Sequence, residues 1–154
     1  MIVKITLDPG HGGKDPGTIN NQTGLKEKDV VFKVSNGLGK VFDTKCEGVS
    51  HNCTGQTDVF IELNERCNIA NRYEADFFAS FHVDSASTVG QHIHPNAPKQ
   101  TRDLAQHVHD EMWNNFYLKF GVFTHGDVRT ADYAVLRGTR MDACLFKNGF
   151  MNNM

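Results

Sequence analysis

No stretch of this chain approaches the roughly 18 apolar residues that a membrane-spanning helix needs, so a span is excluded. Neither sign of charge dominates. The formal net charge is −2, too close to zero to mark a nucleic-acid partner or a basic membrane patch. The opening residues, Met-Ile-Val-Lys-Ile-Thr-Leu, carry no basic segment followed by an apolar one. The expectation is therefore no signal peptide, and a product that stays cytoplasmic until something else releases it. The four cysteines, at 46, 53, 67 and 144, form no C-x-x-C pair, which argues against a structural zinc knuckle. Cys46 and Cys53 flank a short loop and could bridge, but four free thiols is the simpler reading. Internal repeats, low-complexity tracts and linkers are absent, so the 154 residues read as one domain with room for a core.

What is present alternates strand and helix signals. Residues 2–7 (IVKITL) read as a buried strand, and 8–24 as a loop rich in glycine and proline. Val31, Val34, Leu38 and Val41 recur at helical spacing, with Glu27 and Lys28 at the start of that helix. Residues 46–53 give a weak strand, and 62–74 a helix with Leu63, Cys67, Ala70 and Tyr73 on one face. ADFFASFHVDS, 75–85, reads as a central strand entering a loop, and a short strand follows at 89–94. Residues 98–116 suggest a polar helix whose apolar side is Leu104, Val108, Met112 and Trp113. Tyr133–Leu136 and Ala143–Phe146 read as the last two strands. This order predicts an α/β domain with a twisted, mostly parallel sheet and helices on both faces. Such sheets usually end with a covering helix. None is legible before the chain stops at Met-Asn-Asn-Met, so a missing C-terminal helix is expected.

The chemistry-bearing residues fall at strand ends. His11 lies between glycines in Asp8-Pro-Gly-His-Gly-Gly13, just beyond the first strand. Ligands of open α/β sheets bind beyond the carboxyl ends of strands. A phosphate cradle is one alternative for this loop, but neither G-x-G-x-x-G nor G-x-x-x-x-G-K-[ST] is present. His82 ends a second strand, and Glu27 opens the first helix. Two histidines and a glutamate make a known zinc type with one position open. His92 and His94 alternate on one side of a short strand, as a second metal site, a groove lining or simply exposed residues. His107 and His109 do not face together on a helix. His51 and His125 carry no pattern.

Four segments in this order resemble the zinc-dependent N-acetylmuramoyl-L-alanine amidases, bacterial and phage enzymes that cleave peptidoglycan. They are LDPGHGGKDPG (7–17), GLKEKDVVFKV (24–34), LNERCNIANRYEADFFASFHVDS (63–85) and YAVLRGTRMDACLFKNGF (133–150). The resemblance covers nearly the whole chain. It implies a single catalytic domain over 1–154, without a separate wall-binding domain, acting as a monomer on peptidoglycan. It implies one Zn²⁺ per chain, held by His11, Glu27 and His82. It also implies hydrolysis of the amide between N-acetylmuramic acid and L-alanine of the stem peptide.

One position departs from the pattern. The resemblance expects a glutamate two residues before Gly149-Phe150 as general base, and this chain has Lys147. An ammonium group cannot accept a proton, so impaired turnover is expected. Asp84, beside His82, is the nearest substitute carboxylate in the sequence. Smaller departures are Gln91 after Gly90, Phe120 before Gly121 and Asp142 after Met141. The competing reading is a catalytically inactive, zinc-containing domain that binds peptidoglycan. A nucleotide-binding role for the loop 8–17 is a weaker third.

Overall fold

Alternating side chains on one sheet create two apolar faces, and each is covered by its own helices. A computed structural model describes residues 1–84, 88–121 and 124–151. In chain order the elements are β1 (Val3–Pro9), α1 (Glu27–Lys45), β2 (Val49–Cys53), α2 (Leu63–Tyr73), β3 (Phe77–Asp84), β4 (Thr88–Ile93) and α3 (Lys99–Met112). A π-helical turn (Trp113–Tyr117), α4 (Leu118–Phe120), β5 (Thr124–Thr130), α5 (Ala134–Gly138) and β6 (Asp142–Phe150) complete them. The six strands run in the order β2-β1-β3-β6-β4-β5. All neighbouring pairs are parallel except β4 with β6. The expected mostly parallel α/β sheet is therefore observed.

Strand alternation separates the two cores. Leu7, Ala79, Phe81, Cys144 and Phe146 point to one face, where Val31 of α1 and Ala105 of α3 meet them. Phe78, Ala143 and Leu145 point to the other, against Cys67 and Ala70 of α2 and Val135 and Leu136 of α5. The same alternation puts His82 and Lys147 side by side, because they are register partners on β3 and β6.

Several expectations need correction. Tyr133–Leu136 is not a strand. Its backbone turns into α5, with the Leu136 and Arg137 amides donating to the Tyr133 carbonyl at 3.0 Å. A four-residue apolar run fits a buried helical turn as well as a strand. β5 was not anticipated, because this edge strand, THGDVRT, has no apolar alternation. On α1 the buried line is Glu27, Val31, Ser35 and Gly39, while Val34 and Val41 stay 41% and 42% exposed. Gly39 explains that rotation: a Cβ there would stand 2.8 Å from the His51 ring, so the small residue lets α1 lie close on β2. Leu63 and Leu104, expected on apolar faces, are exposed. The four cysteines are free thiols, with no 46–53 bridge. Among the described residues, no helix is long and apolar enough to cross a membrane. Ser85 and the final residues 152–154, on which the missing-helix expectation turns, lie outside the described residues.

Phe78 is fully buried between β3 and the α2/α5 layer. Phe78→Ala is expected to cost about 3–5 kcal/mol in denaturant unfolding, because a large cavity opens where the helices cannot collapse.

Candidate metal centre

The loop after β1 is shaped to present His11. Gly12 and Asp15 exchange backbone hydrogen bonds at 2.9 and 3.0 Å, closing a tight turn just after it. His11 itself has φ 66°, a left-handed conformation uncommon for a residue with a side chain. Its Nδ1 meets Asp15 Oδ2 at 2.8 Å, which orients the ring and directs Nε2 toward Glu27. Glycine is required twice nearby. A Cβ on Gly10 would lie 2.4 Å from the His82 ring, and one on Gly17 (φ 64°) would lie 2.7 Å from the His11 ring.

Glu27 is the centre of the arrangement. It is 3% exposed and opens α1. Its Oε1 lies 3.2 Å from His11 Nε2 and 3.0 Å from His82 Nδ1, and accepts from the Val83 amide at 2.9 Å. Its Oε2 accepts from the Thr18 amide at 2.9 Å. Burial alone would raise the Glu27 pKa. The bonds from His11, His82 and the two amides outweigh it and hold the carboxyl well below the usual range. Burial likewise pushes His11 down, but the Glu27 and Asp15 carboxylates outweigh it and leave its pKa above the usual value.

His11, Glu27 and His82 offer ligand atoms that all lie within 4.8 Å of one another. Among the described residues this is the one such group of histidine, cysteine and carboxylate side chains. The donor set is two imidazoles and one carboxylate, with an outer carboxylate behind one imidazole, which fits a divalent metal such as zinc. Thiols do not join it, and burial pushes Cys53 up to about 11 and Cys144 up to about 12.

Lys147 enters the same groove, which His11, Asp15, Gly17, Thr18, Glu27, His82 and Asp84 also line. Its Nζ donates to Asp84 Oδ2 at 2.5 Å. Burial would lower the Lys147 pKa, but the bond to Asp84 and the nearby Tyr133 outweigh it, so the ammonium persists. The glycine amides of this loop, which a phosphate cradle would use, are engaged within the protein. Gly10, Gly12, Gly13 and Gly17 donate to Phe81, Asp15 and Asp58 acceptors within the protein.

Other sequence candidates fall apart from the triad. His92 stacks edge-on to Tyr133 at 5.6 Å, while His94 faces Asp132 at 3.4 Å, so the two do not converge. Burial first, then the Lys147 charge, lower His92 to about 4. His109 bonds Gln91 and meets His125 at 3.0 Å, an arrangement no sequence spacing announced. Asp15, Tyr133, Asp8 and Arg66 were also missed. Arg66 carried a signal: it stands four residues before Ala70, on the buried side of α2.

Residues 5–154 match the N-acetylmuramoyl-L-alanine amidase family. The chain belongs to that family. It is 36% identical over 155 residues to the sporulation-specific N-acetylmuramoyl-L-alanine amidase of Bacillus subtilis (strain 168), covering 99% of this chain and 58% of that protein. It is 34% identical over 158 residues to the endolysin of Bacillus phage SPP1, covering 99% and 56% respectively. The chain thus spans a little over half the length of these curated relatives. The crystal structure of the N-acetylmuramoyl-L-alanine amidase from Clostridium difficile 630 matches with TM-score 0.88 at 25% identity, covering 98% of this chain and 81% of that one. The family segment contains His11, Glu27, His82 and Lys147 together.

The His11 shift fixes a pH dependence for the metal-free protein. Its folded pKa lies above the unfolded 6.5, so its contribution is complete below pH 6.5 and is lost as pH rises through the folded value. Glu27 runs oppositely: its contribution is present above 4.5 and is lost as pH falls through its depressed folded value. The melting temperature of the chelator-stripped chain should therefore fall as pH is raised above 6.5, and His11→Gln should flatten that slope.

Proposed function

We propose that this chain is a zinc-dependent amidase domain that hydrolyses the bond between N-acetylmuramic acid and L-alanine in peptidoglycan. The reading rests above all on the convergence of His11, Glu27 and His82 at the sheet edge of a chain in this family. One zinc per chain would be held by these three residues, and the domain would act as a monomer at the bacterial cell wall. Bound zinc supplies Lewis-acid polarisation of the amide carbonyl and lowers the pKa of a coordinated water toward about 7. Asp15 holds the His11 ring in the orientation that keeps Nε2 on the metal side. The Thr18 and Val83 amides donate to Glu27 and favour its ionised form, the one able to ligate. The apolar groove running on past Phe60, Ile61, Leu63, Tyr133 and Val135 gives the substrate a surface beside the triad.

The proton-transfer step is where this chain is weak. Lys147 stands where the resemblance expects a glutamate base, and its ammonium, paired with Asp84, has no lone pair to accept a proton. General base assistance is worth about 10² to 10⁴ in rate, roughly 3 to 5 kcal/mol of barrier. Slow turnover follows. The same ion pair favours a second reading, a zinc-containing domain that binds peptidoglycan without cleaving it.

Lys147→Glu separates the two. It removes the ammonium and sets a second carboxylate beside Asp84, where like charge raises the pKa of one of them toward the working range. Wall hydrolysis, followed by turbidity loss of a cell-wall suspension and by zymogram, should rise about 100-fold or more. No gain, with zinc retained, would show that position 147 is not the base position.

A further inference from the structure

Below the metal-facing loop lies a charged network that takes no part in ligation. Arg66 and Asp8 are 3% and 1% exposed. The Arg66 guanidinium donates to Asp8 Oδ1 at 2.8 Å, the Pro9 carbonyl at 2.6 Å, the His11 carbonyl at 2.5 Å and the Ile61 carbonyl at 3.0 Å. Asp8 is completed by Thr54 Oγ1 at 2.6 Å and Ser80 Oγ at 2.7 Å. One planar fork from α2 therefore ties the end of β1, the residue that carries the imidazole and the loop that follows β2.

We propose that Arg66 is a positioning residue for the metal centre, acting on His11 through the backbone it holds. The proposal rests on the metal reading given above. Left-handed backbone at a non-glycine residue is strained and persists only where surrounding contacts over-determine it. At His11 the carbonyl is gripped by Arg66 while the ring is gripped by Asp15, so backbone and side chain are fixed independently. A buried ion pair is weak as a source of stability, but four of the five Arg66 N–H donors are engaged here, which leaves the fork little freedom of geometry. Lysine cannot substitute, because a point ammonium with three donors does not span four acceptors arranged around a fork.

Zinc titration, Co²⁺ absorption and melting of the chelator-stripped protein distinguish the outcomes. Arg66→Lys is expected to bind zinc about 10- to 100-fold more weakly, as with other groups that support metal ligands from behind. Its Co²⁺ bands should shift, while the metal-free protein still melts cooperatively. A purely architectural Arg66 would lower the melting temperature and leave zinc affinity and Co²⁺ bands of the folded protein unchanged. That result overturns the proposal and leaves the metal site standing. A wild-type chain that takes up no zinc overturns both. Should Arg66→Lys not fold, Asp8→Asn keeps the side-chain shape, removes the charge that seats the Arg66 fork and carries the same readout. A few-fold loss of zinc affinity supports the proposal, and an unchanged affinity overturns it.

Discussion

The buried carboxylate of Glu27 is the constraint on which the rest of this structure turns. A charged group at 3% exposure is costly unless each oxygen is bonded. Here the partners come from separate parts of the chain: the Thr18 amide before α1, the Val83 amide in β3, and two imidazoles from the loops and strands at the sheet edge. Those bonds tie the start of α1 to the glycine loop and to β3. They also bring together three donors of the kind that hold a divalent ion.

The sheet's parity extends this logic to the neighbouring position. His82 and Lys147 occupy matched places on adjacent parallel strands, so any residue at 147 projects beside the triad. A cation there sits in a groove whose other charged lining is largely acidic, and Asp84 answers it directly. The pairing satisfies the ammonium and at the same time engages Asp84 Oδ2, an oxygen of the carboxylate that the sequence offers as a substitute. On the proposed reading, electrostatic compatibility with the site and competence for proton transfer pull in opposite directions at one position.

Much of this was legible in the sequence because the signals were local. Histidines at strand ends, 11 and 82, and a glutamate at a helix start pointed to a metal only when taken together, and the family resemblance implied the same three residues. β5 and α5 were not legible, for two different reasons. A polar edge strand lacks alternation, and a short apolar run does not declare its period. The apolar stripe of α1 was misread because Gly39 packs by what it lacks, a property no hydrophobicity pattern records. Arg66 and Asp8 meet across 58 positions, and only the folded chain brings that fork to those carbonyls.

His11, Glu27 and His82 are proposed to hold one zinc. X-ray absorption on the zinc-loaded chain tests this most directly. Nitrogen and oxygen scatterers are expected at about 2.0–2.2 Å, with an imidazole signature from two histidines and no sulfur. A sulfur shell near about 2.3 Å would contradict it, since that would place the metal on the cysteines instead.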